Sequence, residues 1–378
     1  MSIYQKIQIH LPLWGLLRKV PRAVDDKQVL ILCDDALGDL LMMSGPLKYL
    51  CEKGYFTTLV VRHTWQDIAQ HLGAQRIIAV NSRTYRQSMR YRISILNQIR
   101  QVHYAWAAAS LLPSTINADL LRYCGAEQRY MLKWGNSWLE RRRHFSANRH
   151  ITALGFKESP HIHRDILSML ADYYSAILGN QITAEQIKPV LTIKQDPSYP
   201  VMCPQGKYLL YISDTMDTIR QYPTEKIFPV LQKQAQKHNI PIVVTGREEN
   251  AAFAPSEGII NLTGKTSLEE LWQIIFHAFV VVGNETGSTH LAWILGKPTL
   301  MIYGGGHYGL FRPNDKCHLV CQLKSCFGCS WDTCSYWKQG KVAPCIMDIT
   351  PAQLETTLEQ MLCGNPPQPV CFTEEAFC

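Results

Sequence analysis

The chain has 378 residues, more than one ordinary domain needs and enough for two. Hydrophobic residues make up 46% and charged residues 18%, which supplies a core and excludes wholesale disorder. Lysine and arginine exceed the acids by seven, which points to an anionic partner (a phosphate, a nucleotide or a membrane surface) without choosing among them.

The first twenty residues, MSIYQKIQIHLPLWGLLRKV, hold an apolar tract flanked by Lys6 and Arg18-Lys19. Pro12 interrupts it and no small-residue cleavage site follows, so it reads as a segment packed on the domain or an interfacial anchor, not a secretory signal. No stretch approaches the roughly 18 apolar residues of a membrane span.

Val29–Leu32 then predicts a strand and Leu40–Leu50 a helix. A strand at Thr57–Val61, a helix at Trp65–Leu72, a strand at Arg76–Val80, a helix at Arg92–Gln101 and a strand at Tyr104–Ala109 follow. The alternation predicts βαβ units and a parallel sheet.

Lys194–Gly206 carries three prolines and a glycine and reads as a linker. Beyond it the alternation resumes, with strands at Tyr208–Ile212, Pro241–Thr245, Phe279–Val282 and Thr299–Tyr303. Helices are expected at Thr224–His238, Leu268–Phe276 and His290–Leu295. The fold class is therefore α/β, with two doubly wound domains: residues 1–195, and 205–350 with a cysteine-rich segment at 317–345. A helix and tail at 351–378 close the chain.

Ligands of parallel sheets bind at the carboxyl ends of the strands. Five strand exits here are polar and bear glycine or acid: Cys33-Asp-Asp-Ala-Leu-Gly-Asp39, Ser213–Pro223, Gly246-Arg-Glu248, Gly283-Asn-Glu-Thr-Gly-Ser-Thr-His290 and Gly304-Gly-Gly-His-Tyr308. In the fourth, Gly287 allows close backbone approach and Thr286 can cap the following helix, whose free amides suit a diphosphate. No GxGxxG follows the first strand. Gly264-Lys265-Thr266 imitates the end of a phosphate-binding loop, but Ile259 stands where its first glycine belongs.

The stretches VLILCDDALGDLLMMSGPLKYL, PHIHRDILSMLADYY, TIRQYPTEKI and LTGKTSLEELW, then VVVGNETGSTHLAWILGKPTLMIYGGG, together resemble glycosyltransferase family 9, the ADP-heptose heptosyltransferases and their relatives. The resemblance runs from about Val29 to the helix after Pro351. It implies a GT-B fold, two Rossmann-like domains facing across a cleft, with the acceptor site mainly in the first and the nucleotide-sugar site in the second. It implies inverting sugar transfer to a hydroxyl with no catalytic cofactor or metal.

Carried over residue by residue, Asp39 stands at the position of the catalytic base. A carboxylate at a helix N-terminus is held ionised and is a weak base, sufficient where the acceptor proton leaves only as the new bond forms. Arg220 and Thr215 stand by the donor phosphates and Glu248 by the ribose hydroxyls. Thr286, Gly287 and His290 match the family's Asp-Thr-Gly-x-x-His stretch. Glu285 replaces its aspartate, which puts the donor sugar in question, and His307 is expected to face the donor too. Asp34 and Asp35 read as structural.

The resemblance implies an anionic glycan or lipid-linked acceptor, which Arg83, Arg86, Arg90, Arg92 and Arg141–Arg143 could face; a solvated surface run stands beside that reading. Nucleic acid is disfavoured because no recognition module accompanies the charge. Thirteen cysteines, mostly scattered, fit reduced thiols in a cytoplasmic protein with peripheral inner-membrane contact. Cys326, Cys329, Cys334 and Cys345 have the spacing of a tetrahedral thiolate site for structural zinc, or for the iron of protein-modifying relatives, with Cys317 and Cys321 as substitute ligands and a homo-oligomer contact as a second use; reduced, partly buried loop thiols stand beside that reading. The alternatives to an ADP-heptose donor are a different nucleotide sugar and a non-catalytic, metal-stabilised oligomeric scaffold.

Overall fold

The computed structural model describes residues 26–132, 152–154, 165–191 and 198–365 apart from 113, 255, 312, 314 and 332–333, together with Leu13, Gly15 and residues 17–21. The chain divides into two compact units, one of residues 1–157 and 167–192, the other of 158–166 and 193–378. Most of the N-terminal tract, Arg141–Arg143 and the tail beyond 365 lie outside the described residues. Among the described residues no helix is long and apolar enough to cross a membrane.

The first unit holds a six-stranded sheet in the order β3-β2-β1-β4-β5-β6. The strands are β1 (Gln28–Cys33), β2 (Phe56–Arg62), β3 (Arg76–Val80), β4 (Trp106–Ala109), β5 (Gln128–Leu132) and β6 (Thr152–Leu154), all paired in parallel. β1 is buried from Val29 to Cys33, as a central strand covered on both faces must be. Leu13 of the N-terminal tract is buried in the same core.

The expected helix at Leu40–Leu50 is two helices, Leu37–Met42 and Ser44–Glu52. Pro46 has no N–H for the carbonyl four residues earlier, which interrupts the ladder there. Gly45 answers a different need: a Cβ on it would lie 1.8 Å from the Ile187 carbonyl oxygen, so only glycine lets this helix touch the 185–187 turn. Trp65–Leu72 holds only a short helix, Gln66–Ala69, after a single 3-10 turn.

Of the arginines expected on a ligand-facing or solvated run, Arg92 is neither. It lies in the helix Met89–Ile99 with 1% of its surface exposed, bonded to Asp119 at 2.8 Å from Nε and 2.5 Å from Nη2. Tyr85 donates to the same carboxylate at 2.7 Å.

The second unit repeats the plan in the order β12-β11-β10-β7-β8-β9, again all parallel. Its strands are β7 (Leu209–Ile212), β8 (Ile242–Thr245), β9 (Ile259–Asn261), β10 (Val280–Asn284), β11 (Thr299–Ile302) and β12 (Cys317–Val320). β12 extends the sheet past the strand expected to be last, so the cysteine-rich segment begins in a strand, and Cys326, Cys329, Cys334 and Cys345 follow it.

The helix Pro351–Leu362 packs on Thr224–His238 of its own unit. Lys233–Glu355 and Lys237–Glu359 ion pairs at 2.6 and 2.8 Å line that contact.

Candidate active site

Each sheet reverses its strand order once, between β1 and β4 in the first unit and between β7 and β10 in the second. Loops leaving strands on either side of such a reversal splay apart and open a crevice for ligand.

At the first reversal, Asp34 and Asp35 are buried. Arg62 donates to the Asp34 carbonyl at 2.9 Å, Ser82 bonds its carboxylate, and Asn117 accepts its backbone N–H at 3.2 Å. The Cys33 thiol donates to Asp35 at 3.5 Å and Trp65 to its carbonyl at 3.1 Å. These two acids build the loop, as the sequence reading had them. Burial pushes Asp35 up to about 6, against the pull of bonds from Ser110 and Cys33. Asp39 is half-buried in the first turn of Leu37–Met42, near enough to Cys33 to raise that thiol's pKa behind the larger effects of burial and Asp35.

At the second reversal the loop after β7 folds on itself. Gln221 donates to the Ser213 carbonyl at 2.7 Å and accepts from the Thr215 N–H at 3.0 Å. The Thr215 hydroxyl is engaged at 2.6 Å by the Asp217 carbonyl. Arg220 is thereby brought to the exit of β10: Nη1 donates to the Glu285 carbonyl at 3.2 Å while Nη2 pairs with Asp217 at 2.9 Å.

Glu285 is buried, and Oε1 lies 2.7 Å from Nδ1 of His307, at the exit of neighbouring β11. Burial alone would raise the Glu285 carboxyl, but His307 and Arg220 bring it below its ordinary value. Thr286 caps the helix Gly287–Ile294 by accepting from the Thr289 N–H at 3.4 Å. His290 is buried and its Nδ1 accepts from the Trp293 indole at 3.1 Å, so its remaining proton sits on Nε2. Burial lowers its pKa to about 4, leaving it neutral.

The structure thus brings Arg220, Glu285, Thr286, Gly287 and His290 together. Glu248 is separate and exposed on the loop after β8, 3.7 Å from Arg247. The Glu285–His307 contact was missed by sequence reasoning; its signal was their shared position at the exits of adjacent strands.

A groove of about 770 Å³ lined by Gln236, Asn239 and Glu257 lies at the amino ends of β8 and β9, the end opposite the ligand loops.

The cysteine-rich segment lies over the Gly304–Gly306 loop. Cβ atoms on Gly304 and Gly306 would lie 2.3 and 2.2 Å from the Trp331 ring, and one on Gly305 2.0 Å from Phe327. Gly328 and Ser330 donate to the Gly305 and Gly306 carbonyls at 2.8 and 2.9 Å, and Cys345 accepts the Gly305 N–H at 3.4 Å. Gly305→Ala is therefore expected to cost about 1–3 kcal/mol through overpacking, read as a lowered Tm with Gly15→Ala, where the space is open, as control.

The described cysteines form no disulfide. Cys326, Cys329 and Cys334 each lie near enough to Cys345 to raise its thiol pKa, although burial dominates. Among the described residues, the set whose ligand atoms come within 4.8 Å of one another is not these four but His238, Glu359 and Cys363. Lys237 already occupies that carboxylate at 2.8 Å, which makes it an ion-pair knot between helices.

The buried acid and the buried imidazole titrate in opposite senses. Asp35 binds its proton more tightly folded than unfolded, so its contribution is full below pH 4 and lost as pH rises through about 6. His290 binds its proton more weakly folded, so its contribution is present above about 6.5 and lost as pH falls through about 4. Each amounts to roughly 2–3 kcal/mol. Asp35→Asn should steepen the loss of Tm between pH 6.5 and 4, and His290→Gln should flatten it.

A comparison with curated protein sequences finds no match. Among solved structures, the ADP-heptose lipopolysaccharide heptosyltransferase II of E. coli superposes with a TM-score of 0.65 at 15% identity, over 89% of this chain and 99% of that one. The family 9 glycosyl transferase of Veillonella parvula gives 0.69 at 13%, over 90% and 99%. The dodecameric iron-containing heptosyltransferase TibC of enterotoxigenic E. coli, solved with ADP-D-β-D-heptose, gives 0.52 at 16%, over 92% and 78%. At these identities the likeness shows the fold, which is GT-B. The family model for glycosyltransferase family 9 (heptosyltransferase) matches residues 92–336, about two thirds of the chain, and the chain belongs to that family.

Proposed function

We propose that the protein transfers a sugar, with inversion, from a nucleoside diphosphate donor to an acceptor hydroxyl, and that the donor is ADP-heptose or a close analogue. The observation that carries this reading is the cluster of Arg220, Glu285, His290 and His307 at one sheet reversal, beside a capped helix N-terminus.

Arg220, the amides of Gly287 and Ser288, and the Nε2–H of the neutral His290 are donors suited to a diphosphate. They would stabilise the charge that builds on it as its bond to the anomeric carbon breaks. The acceptor oxygen forms the new bond on the opposite face of the sugar, and Asp39 takes its proton. Glu248 is assigned to the ribose hydroxyls and Thr215 to the phosphates.

Solved family relatives are described with ADP, ADP-D-β-D-heptose and a fluorinated ADP-heptose, which supports the adenine nucleotide. A thermal-shift panel of ADP-, UDP- and GDP-sugars tests it. Stabilisation by the ADP compounds is expected, and stabilisation by a uridine or guanosine sugar alone would overturn it. That second reading, a different donor, is favoured by the glutamate at position 285.

The thiols of Cys326, Cys329, Cys334 and Cys345 are the right donors for structural zinc or iron, although their sulfurs do not converge in the structure. TibC is described as iron-containing, which supports the assignment. Elemental analysis should find about one zinc or iron per chain, lost in Cys329→Ser. A metal-free wild-type protein would end it. The acceptor is proposed as a glycan, glycolipid or protein, with peripheral membrane contact and self-association as further proposals.

A further inference from the structure

Among the described residues, Oε2 of Glu285 and Nε of Arg220 are buried with no hydrogen-bond partner. The His307 side chain is 22% exposed while Glu285 is 1% exposed, so of the two it is the imidazole that reaches the surface of the site.

His307 is also held firmly. Tyr303 bonds its carbonyl oxygen, and its ring meets Trp331 and Phe311 edge to face with centroids 5.8 Å away in each case. The Gly305 and Gly306 carbonyls just before it are tied to Gly328 and Ser330. The ionised Glu285 can only accept, which places the Nδ1 proton between the two residues. The ring's other nitrogen, Nε2, then remains for a ligand, and among the described residues it has no hydrogen-bond partner.

We propose that Nε2 of His307 binds the donor's diphosphate, and that Glu285 acts on that contact as a positioning residue, holding the ring through Nδ1. The inference rests on the nucleoside diphosphate reading above and deepens it. An anion fits better than a sugar hydroxyl because the neighbours are donors: Arg220 and the free amides of Gly287 and Ser288. With a phosphate on Nε2 and a carboxylate on Nδ1, each ring nitrogen would have an anionic partner. The titratable groups about the ring are Glu285, bonded to it, and His290, which senses it, with Arg220 beyond on the Glu285 carbonyl.

The test is calorimetric titration of the full chain with ADP, UDP and GDP and with the corresponding nucleosides. His307→Gln should weaken the diphosphate that binds wild type by about ten- to a hundredfold and leave nucleoside affinity within about twofold. Glu285→Gln, whose amide oxygen still accepts from Nδ1, should weaken the diphosphate in the same selective way but less. A folded His307→Gln protein with wild-type diphosphate affinity overturns the proposal and leaves the donor reading standing. Failure of all three diphosphates to bind wild type overturns both.

A second measurement needs no variant. Diethylpyrocarbonate acylation of His307, located by mass spectrometry, should be blocked by the bound diphosphate and not by the nucleoside. Acylation unchanged under saturating diphosphate overturns the proposal.

Discussion

Asp39→Asn is expected to slow sugar transfer by about a hundred- to ten-thousandfold while leaving nucleoside diphosphate affinity unchanged. The side chains are nearly isosteric, and Asp39 is half-buried in a short helix whose buried residues are Leu37, Leu40, Leu41 and Met42. The substitution should therefore largely preserve packing while removing the carboxylate's charge and its ability to accept a proton. The residues proposed to bind the donor belong to the other unit, so affinity and turnover should separate. Steady-state rates beside calorimetry on one preparation make the comparison. A near-normal rate would remove Asp39 from the chemistry, and a joint loss of rate and affinity would indicate damage to the fold.

The second large effect is on stability. Asp119→Ala should destabilise the first unit by about 3–5 kcal/mol, because it strips the buried Arg92 guanidinium of the carboxylate bonded to it through Nε and Nη2. The double variant Arg92→Met with Asp119→Leu should lose far less, since it removes both charges and fills the space with apolar atoms. Chemical denaturation of the two single variants and the double variant measures the coupling. If Asp119→Ala costs under 1 kcal/mol, the pair is not the buried one seen here.

These pairs show what a sequence can and cannot convey. β1, β2, β3, β4, β7, β8, β10 and β11 were legible because buried parallel strands are short apolar runs bounded by polar exits. β5, β6, β9 and β12 have three to five residues each and were not marked as strands. Arg92 was assigned to a ligand-facing or surface run because its buried partner is 27 residues away on another helix. Glu285 was legible as a departure from the family pattern, but its bond to His307 spans 22 residues and follows no periodicity. Only the pairing of β10 with β11 places those two exits side by side.

The interlocking of Gly304, Gly305 and Gly306 with Phe327 and Trp331 carries a lesson for anyone redesigning donor preference. The two stretches occupy a single volume, so neither can be diversified independently. A library confined to positions 304–306 should return mostly misfolded proteins, whereas one that shrinks the facing rings at the same time has room to recover active ones. The shape of the loop that carries His307 is thus set in part by a segment well downstream of it.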